Sequence, residues 1–189
     1  DPFKIYAANK MMNGSKLFIL QHGSAGIHDY CNSYYEKNVC DKYLSWGNKS
    51  KDKITYPMFV STTVSKKIKK KNPRGILITI TEFSTIPSRN TIFPRDFSTT
   101  KIYRDSLIIF FSKMNKKILK LSTVKSFTTD LDLFTTNDIR SKFPNLKIND
   151  YRKLKTRAFE DSVNFKLVVE TMNSTGFLES LNLNIPVIL

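Results

Sequence analysis

The chain is poor in the residues that staple small secreted domains or hold metal ions. Its 189 residues contain two cysteines, Cys31 and Cys40, too few for a disulfide framework. Only His22 and His28 could join them as metal ligands, and the four have no zinc-like spacing. The expectation is therefore two reduced thiols, no metal and no bound cofactor. No apolar run approaches the length that crosses a bilayer, and Asp1-Pro2-Phe3-Lys4 has no signal-peptide pattern, which points to the cytoplasm. Also absent are the Gly-x-x-x-x-Gly-Lys-Ser/Thr loop, Gly-x-Gly-x-x-Gly and Gly-x-Ser-x-Gly. Their absence removes the P-loop, dinucleotide-fingerprint and nucleophile-elbow readings.

Acidic residues are scarce as well: 16 Asp and Glu against 31 Lys and Arg leave a net charge of +15. Such a surface attracts anionic lipid, a phosphorylated substrate or nucleic acid through one Coulomb field. The charge is spread along a chain rich in Lys, Asn and Ile, with one dense run at Lys66-Lys67-Ile68-Lys69-Lys70-Lys71. It reads first as a solvated surface, next as attraction to an anionic membrane or substrate, and last as nucleic-acid binding. The run lacks the aromatic–basic interleaving of a nucleic-acid-binding module, which is the rival reading from another class.

A helix opens the chain, with Asp1 as cap, Pro2 at the first helical position and Ile5, Ala8 and Met12 on one face; Asn13-Gly14 stops it. Lys16–Leu20 reads as a short strand ending in the loop Gln21-His22-Gly23-Ser24-Ala25-Gly26, and Lys42–Gly47 as a second strand and turn. The first 60 or so residues hold too few strands for a sheet of their own. A basic linker, 65–74, closes with Asn72-Pro73.

From Gly75 strands and helices alternate. Strands are expected at Ile76–Thr81, Ile118–Leu121, Leu146–Ile148, Phe165–Glu170 and Pro186–Leu189. Helices are expected near Ile102–Met114, Thr136–Phe143, Arg152–Phe159 and Ser174–Leu181. That rhythm builds a doubly wound, parallel, Rossmann-like α/β sheet, with strand ends near Thr81, Ser122 and Glu170 on one side. No internal repeat is visible, and the uncovered last strand suggests a piece of something longer.

In such sheets ligands bind beyond the carboxyl ends of the strands. Two segments fit. Asn173, Ser174 and Thr175 open a helix whose free N–H groups and dipole suit a phosphate, and Glu179, one turn on, could accept from a ribose. The plain alternative is that Asn173 is an N-cap and Glu179 a surface charge. His22, after the strand at Lys16–Leu20, could serve as a general base, or be an ordinary loop histidine.

These segments carry a resemblance. Lys10–Gly23, Val39-Cys40-Asp41-Lys42-Tyr43-Leu44-Ser45-Trp46-Gly47 and Met172–Pro186 resemble, in order, blocks of a family of transferases encoded in surface-polysaccharide gene clusters. The family implies a GT-B architecture: two Rossmann-like domains facing a cleft, the second holding a nucleotide-activated donor. Residues 1–64 would then be the end of the N-terminal domain and the interdomain seam. Residues 75–189 would be the donor-binding domain, truncated at its C-terminus. A looser similarity, to the glycerophosphate transferases of teichoic acid synthesis, makes His22 the catalytic base. Gln21, Gly23 and Gly26 would form the seam loop, and Lys120, Asn173, Ser174, Thr175 and Glu179 the donor site. Lys120 stands in Leu119-Lys120-Leu121-Ser122, where the family has an arginine, and Ser24-Ala25 departs from the family's glycine-rich loop. The resemblance implies a glycosyltransferase or related transferase without metal. Its partners would be a nucleotide-activated sugar and a carbohydrate or lipid-linked acceptor at the inner face of the plasma membrane. An inactive remnant that still folds is the remaining reading.

Overall fold

The structure is a computed structural model that describes residues 1–22, 30–47, 51–58, 72–81, 97–127, 134–150, 158–172 and 174–189. The chain divides into two compact units, Asp1–Lys67 and Ile68–Leu189.

The smaller unit begins with helix α1 (Pro2–Met12), where the Asp1 carboxylate accepts from Phe3 N–H at 3.0 Å and Pro2 fills the first turn. The expected apolar face exists in sequence only, because no residue of α1 is buried. Strand β1 (Phe18–Leu20), helix α2 (Tyr30–Val39), β2 (Lys42–Ser45) and β3 (Thr55–Pro57) follow. The three strands form a parallel sheet in the order β1-β2-β3, so the expectation of too few strands is corrected. The third strand was hidden by its length and its polar start. Asp52 accepts from the N–H groups of Ile54 and Thr55 and turns the chain into it.

The larger unit runs β4 (Ile76–Thr81), α3 (Phe97–Lys113), α4 (Lys116–Leu121), β5 (Ser122–Phe127), α5 (Phe134–Lys142), β6 (Lys147–Asp150), α6 (Ala158–Ser162), β7 (Leu167–Glu170), α7 (Thr175–Asn182) and β8 (Val187–Ile188). All five strands are parallel, in the order β6-β5-β4-β7-β8. This is a mixed α/β, Rossmann-like fold.

Period-two alternation divides β4 and β7 between two cores. Ile78, Ile80 and Val124 pack with Leu107 and Phe111 of α3 and Ile139 of α5 on one face. Leu77 and Val168 pack with Val163 and Ile185 on the other, where α6 and α7 lie. At the start of β4, Gly75 has φ +71°, and a Cβ there would stand 2.2 Å from the Leu121 carbonyl oxygen. Only glycine lets the two backbones approach so closely.

The expected strand Ile118–Leu121 is helix. Asn115 accepts from Lys117 N–H at 2.8 Å and caps α4, and the strand starts only at Ser122. Ser122 pairs with Ile76, so it marks the amino edge of the sheet, opposite to Thr81 and Glu170. The apolar alternation of Ile118, Leu119 and Leu121 mimicked a strand, whereas β5 buries Ser122, Thr123, Lys125 and Ser126.

Candidate functional site

The strand order places a reversal beside β4. The chain moves outward through β5 and β6, then returns to the other side of β4 with β7 and β8. Connections from β4 and β7 therefore leave toward opposite faces, and the carboxyl edge between them is the switch point where ligands bind in open α/β sheets.

Polar groups tie that edge together. Thr81 N–H donates to the Tyr103 hydroxyl at 3.1 Å, which lies 2.6 Å from Thr171 Oγ1. Thr171 Oγ1 in turn donates to the Thr79 carbonyl at 2.7 Å. One hydroxyl carries one proton, so Tyr103 is the donor to Thr171. The bonds run in one direction, from the end of β4 through α3 to the residue after β7.

Glu170, the last residue of β7, is 4% exposed. Its Oε2 accepts from Thr79 Oγ1 at 2.5 Å and from Ser174 Oγ at 3.2 Å. Ser174, in extended conformation, caps α7 by accepting from Gly176 N–H at 3.2 Å. Glu179, 8% exposed, lies one turn further along α7. Burial pushes the Glu170 carboxyl above the usual carboxylate range, and the Glu179 charge pushes the same way, while the two hydroxyls oppose them. Beneath this edge, register sets Lys125, Thr79 and Glu170 side by side on one face. Lys125, fully buried, pairs with Asp161 of α6.

Of the expected donor residues, α7 brings Ser174, Thr175 and Glu179 together; Asn173 lies outside the described residues. Glu179 is buried on α7 beside Glu170 and is no surface charge. Lys120 does not join them: it is exposed near the end of α4, just before the amino end of β5 and so at the opposite edge of the sheet. Its expected place in the site came from the resemblance, which matches it to an arginine on a strand, whereas here the residue lies on a helix.

In the smaller unit Gln21, 2% exposed, extends the β1 ladder by donating its N–H to the Leu44 carbonyl at 2.9 Å. Its side-chain Oε1 accepts from Trp46 N–H at 2.8 Å, so one residue clasps the carboxyl ends of β1 and β2. His22 follows, exposed. The strand before it is an edge strand, with Phe18 and Leu20 52% and 41% exposed. Gly23, Gly26 and the run Lys66–Lys71 lie outside the described residues.

Sequence reasoning passed over Glu170, Tyr103, Thr171 and Thr79. One signal was present: alternation in Leu167-Val168-Val169-Glu170 sets a carboxylate on the same face as buried Val168. The other three are unremarkable residues brought together by strand order. Among the described residues no cluster of three or more His, Cys, Asp or Glu could hold a metal ion, and no helix is long and apolar enough to cross a membrane.

Fold and edge together define a Rossmann-like α/β protein whose polar side chains gather at the switch point of a parallel sheet. The chain belongs to the family described as LIC12162 family transferase, whose profile matches residues 1–189. It is thus a transferase, an enzyme that moves a group from a donor to an acceptor. No curated protein and no solved structure matches the chain.

Proposed function

We propose that this transferase moves a sugar, or a related group, from a nucleotide-activated donor to a surface-carbohydrate or lipid-linked acceptor within a GT-B architecture. The larger unit takes the donor, and the smaller one belongs to the N-terminal domain and seam. The observation that carries the reading is the start of α7: a serine-capped helix with a buried glutamate one turn in, following the strand beside the switch point. Backbone N–H groups and the helix dipole there suit the donor's phosphates, and Glu179 suits a ribose hydroxyl.

His22 acts as the base. It takes the proton of the acceptor hydroxyl as that oxygen bonds to the donor carbon. The bond from that carbon to the phosphate oxygen breaks, and its electron pair leaves with the nucleotide. Helix N–H groups stabilise the departing charge, so the chemistry needs no metal. A cytoplasmic site, peripheral to the inner face of the plasma membrane, matches the basic charge.

Calorimetric titration with nucleoside diphosphates, nucleoside monophosphates and short oligonucleotides at two salt concentrations tests the reading. A diphosphate should bind more tightly than its monophosphate and keep most of its affinity as salt rises. Preference for oligonucleotides with a steep salt dependence would overturn it.

A further inference from the structure

We propose that Glu170 is a positioning residue that holds the first turn of α7 against β4 and assigns Ser174 to the protein rather than to the ligand. The inference rests on the reading of α7 as the donor-binding helix.

Three observations carry it. First, the Glu170 carboxyl joins two elements, since Oε2 accepts from Thr79 on β4 and from Ser174 before α7. Second, the hydroxyl of Ser174 has a single proton, and that proton points at Glu170 while the oxygen accepts from Gly176 N–H. Ser174 then has no proton left for a phosphate, and in this proposal it is not one of the donor contacts. A bound anion meets backbone N–H groups and the Thr175 side of the turn instead.

Third, the second residue of α7 is Gly176, although glycine weakens a helix interior. A Cβ there would stand 2.8 Å from Glu170 Oε1 and 3.3 Å from Ser174 Oγ. The helix gives up a side chain where the carboxyl enters. A carboxylate committed to two hydroxyls and a glycine gap orients the site without touching the transferred group.

A double-mutant cycle on the full chain tests this, with UDP and CDP as probes and hydrogen exchange at the α7 amides as a readout free of ligand. Glu170→Leu and Ser174→Ala should each weaken binding about tenfold, on the scale of one hydrogen bond to a charged group. Together they should do no more harm than the stronger alone, because they break one unit. Both should speed exchange in the first turn of α7, while Glu170→Gln, which keeps the acceptor and the volume, should restore affinity and protection.

Wild-type affinity in Glu170→Leu, fully additive losses, or a Gln variant as poor as Leu would each overturn the proposal. Should Glu170→Leu fail to fold, Ser174→Ala and Glu170→Gln decide by the same criteria. If the wild-type chain binds neither nucleotide, the donor reading fails. Exchange then decides alone: faster exchange in Glu170→Leu supports positioning, and unchanged protection overturns it.

Discussion

Each unit of the molecule closes the carboxyl end of a strand with one buried polar side chain, and the two closures differ in chemistry. In the smaller unit Gln21 presents a neutral amide to the Trp46 backbone. In the larger unit Glu170 presents a carboxyl to the hydroxyls of Thr79 and Ser174. An amide costs little to bury once bonded and does not titrate. A carboxyl costs far more, and its environment must hold it neutral or pair it. The amide therefore serves the fold, leaving the next residue, His22, exposed at the edge. The carboxyl sits under the helix start proposed to receive the donor, where its cost goes with a function.

Four predictions sharpen that contrast. The largest effect belongs to His22. His22→Ala should lower turnover by roughly 10²–10⁴-fold, the usual loss of a general base, with donor affinity nearly unchanged. Steady-state kinetics beside a donor titration check it. Equal loss of both would make His22 a donor contact or a structural residue, and unchanged turnover would remove it from the mechanism.

Next comes Gly75→Ala in the larger unit. The added Cβ meets the Leu121 carbonyl in a left-handed conformation, and the expected destabilisation is about 2–4 kcal/mol. Urea unfolding followed by circular dichroism measures the loss. The chain's single tryptophan, Trp46, reports the smaller unit separately by fluorescence. A Trp46 transition that moves as far would join the two units into one cooperative block.

Gln21→Ala should cost about 1–3 kcal/mol, because Trp46 N–H loses its acceptor in a buried place. The Trp46 fluorescence transition registers it. A variant as stable as the wild type would mean that water or a rearranged side chain replaces the clasp.

The smallest effect is a slope. A carboxyl whose native value is raised holds its proton more tightly folded than unfolded. Its stabilising contribution is full below the ordinary glutamate range and is lost as pH climbs through the raised value. Among the described residues, the charge acting on it is Glu179 on α7, and Lys125 with its partner Asp161 lies on the same face of the sheet across Thr79. Urea midpoints from about pH 4 to about pH 8 should fall for the wild type and flatten in Glu170→Gln, which becomes the more stable of the two at the upper end. Parallel profiles would show that Glu170 is not the titrating group. Gln21→Ala should leave the slope as it is.

Much of the parallel sheet could be read from residues alone. Ile76–Thr81 is a run rich in β-branched residues that follows Gly75, and it is strand over that same span. Leu167–Glu170 is a shorter run of the same kind. Where apolar pattern and structure parted, a side chain decided. Asn115 capped Lys116–Leu121 into a helix, and β5 was overlooked because its buried positions are Ser, Thr and Lys. The three-residue β3, turned in by Asp52, was too short for any periodicity to register.

By itself, then, the amino-acid sequence determined the local elements with strong patterns, the Asp1–Pro2 helix start, and the helix that carries Ser174, Thr175 and Glu179. These follow from neighbours a few residues apart, whose caps and alternation act through the backbone they share. Tertiary structure alone decided that β7 returns to lie beside β4, and with it the bonds that join β4 and α3 to the end of β7 and the start of α7. Thr79 meets Glu170 from 91 residues away, and Tyr103 reaches Thr171 from 68. Strand order is settled by which faces can be buried together, a property of the whole sheet that no single segment encodes.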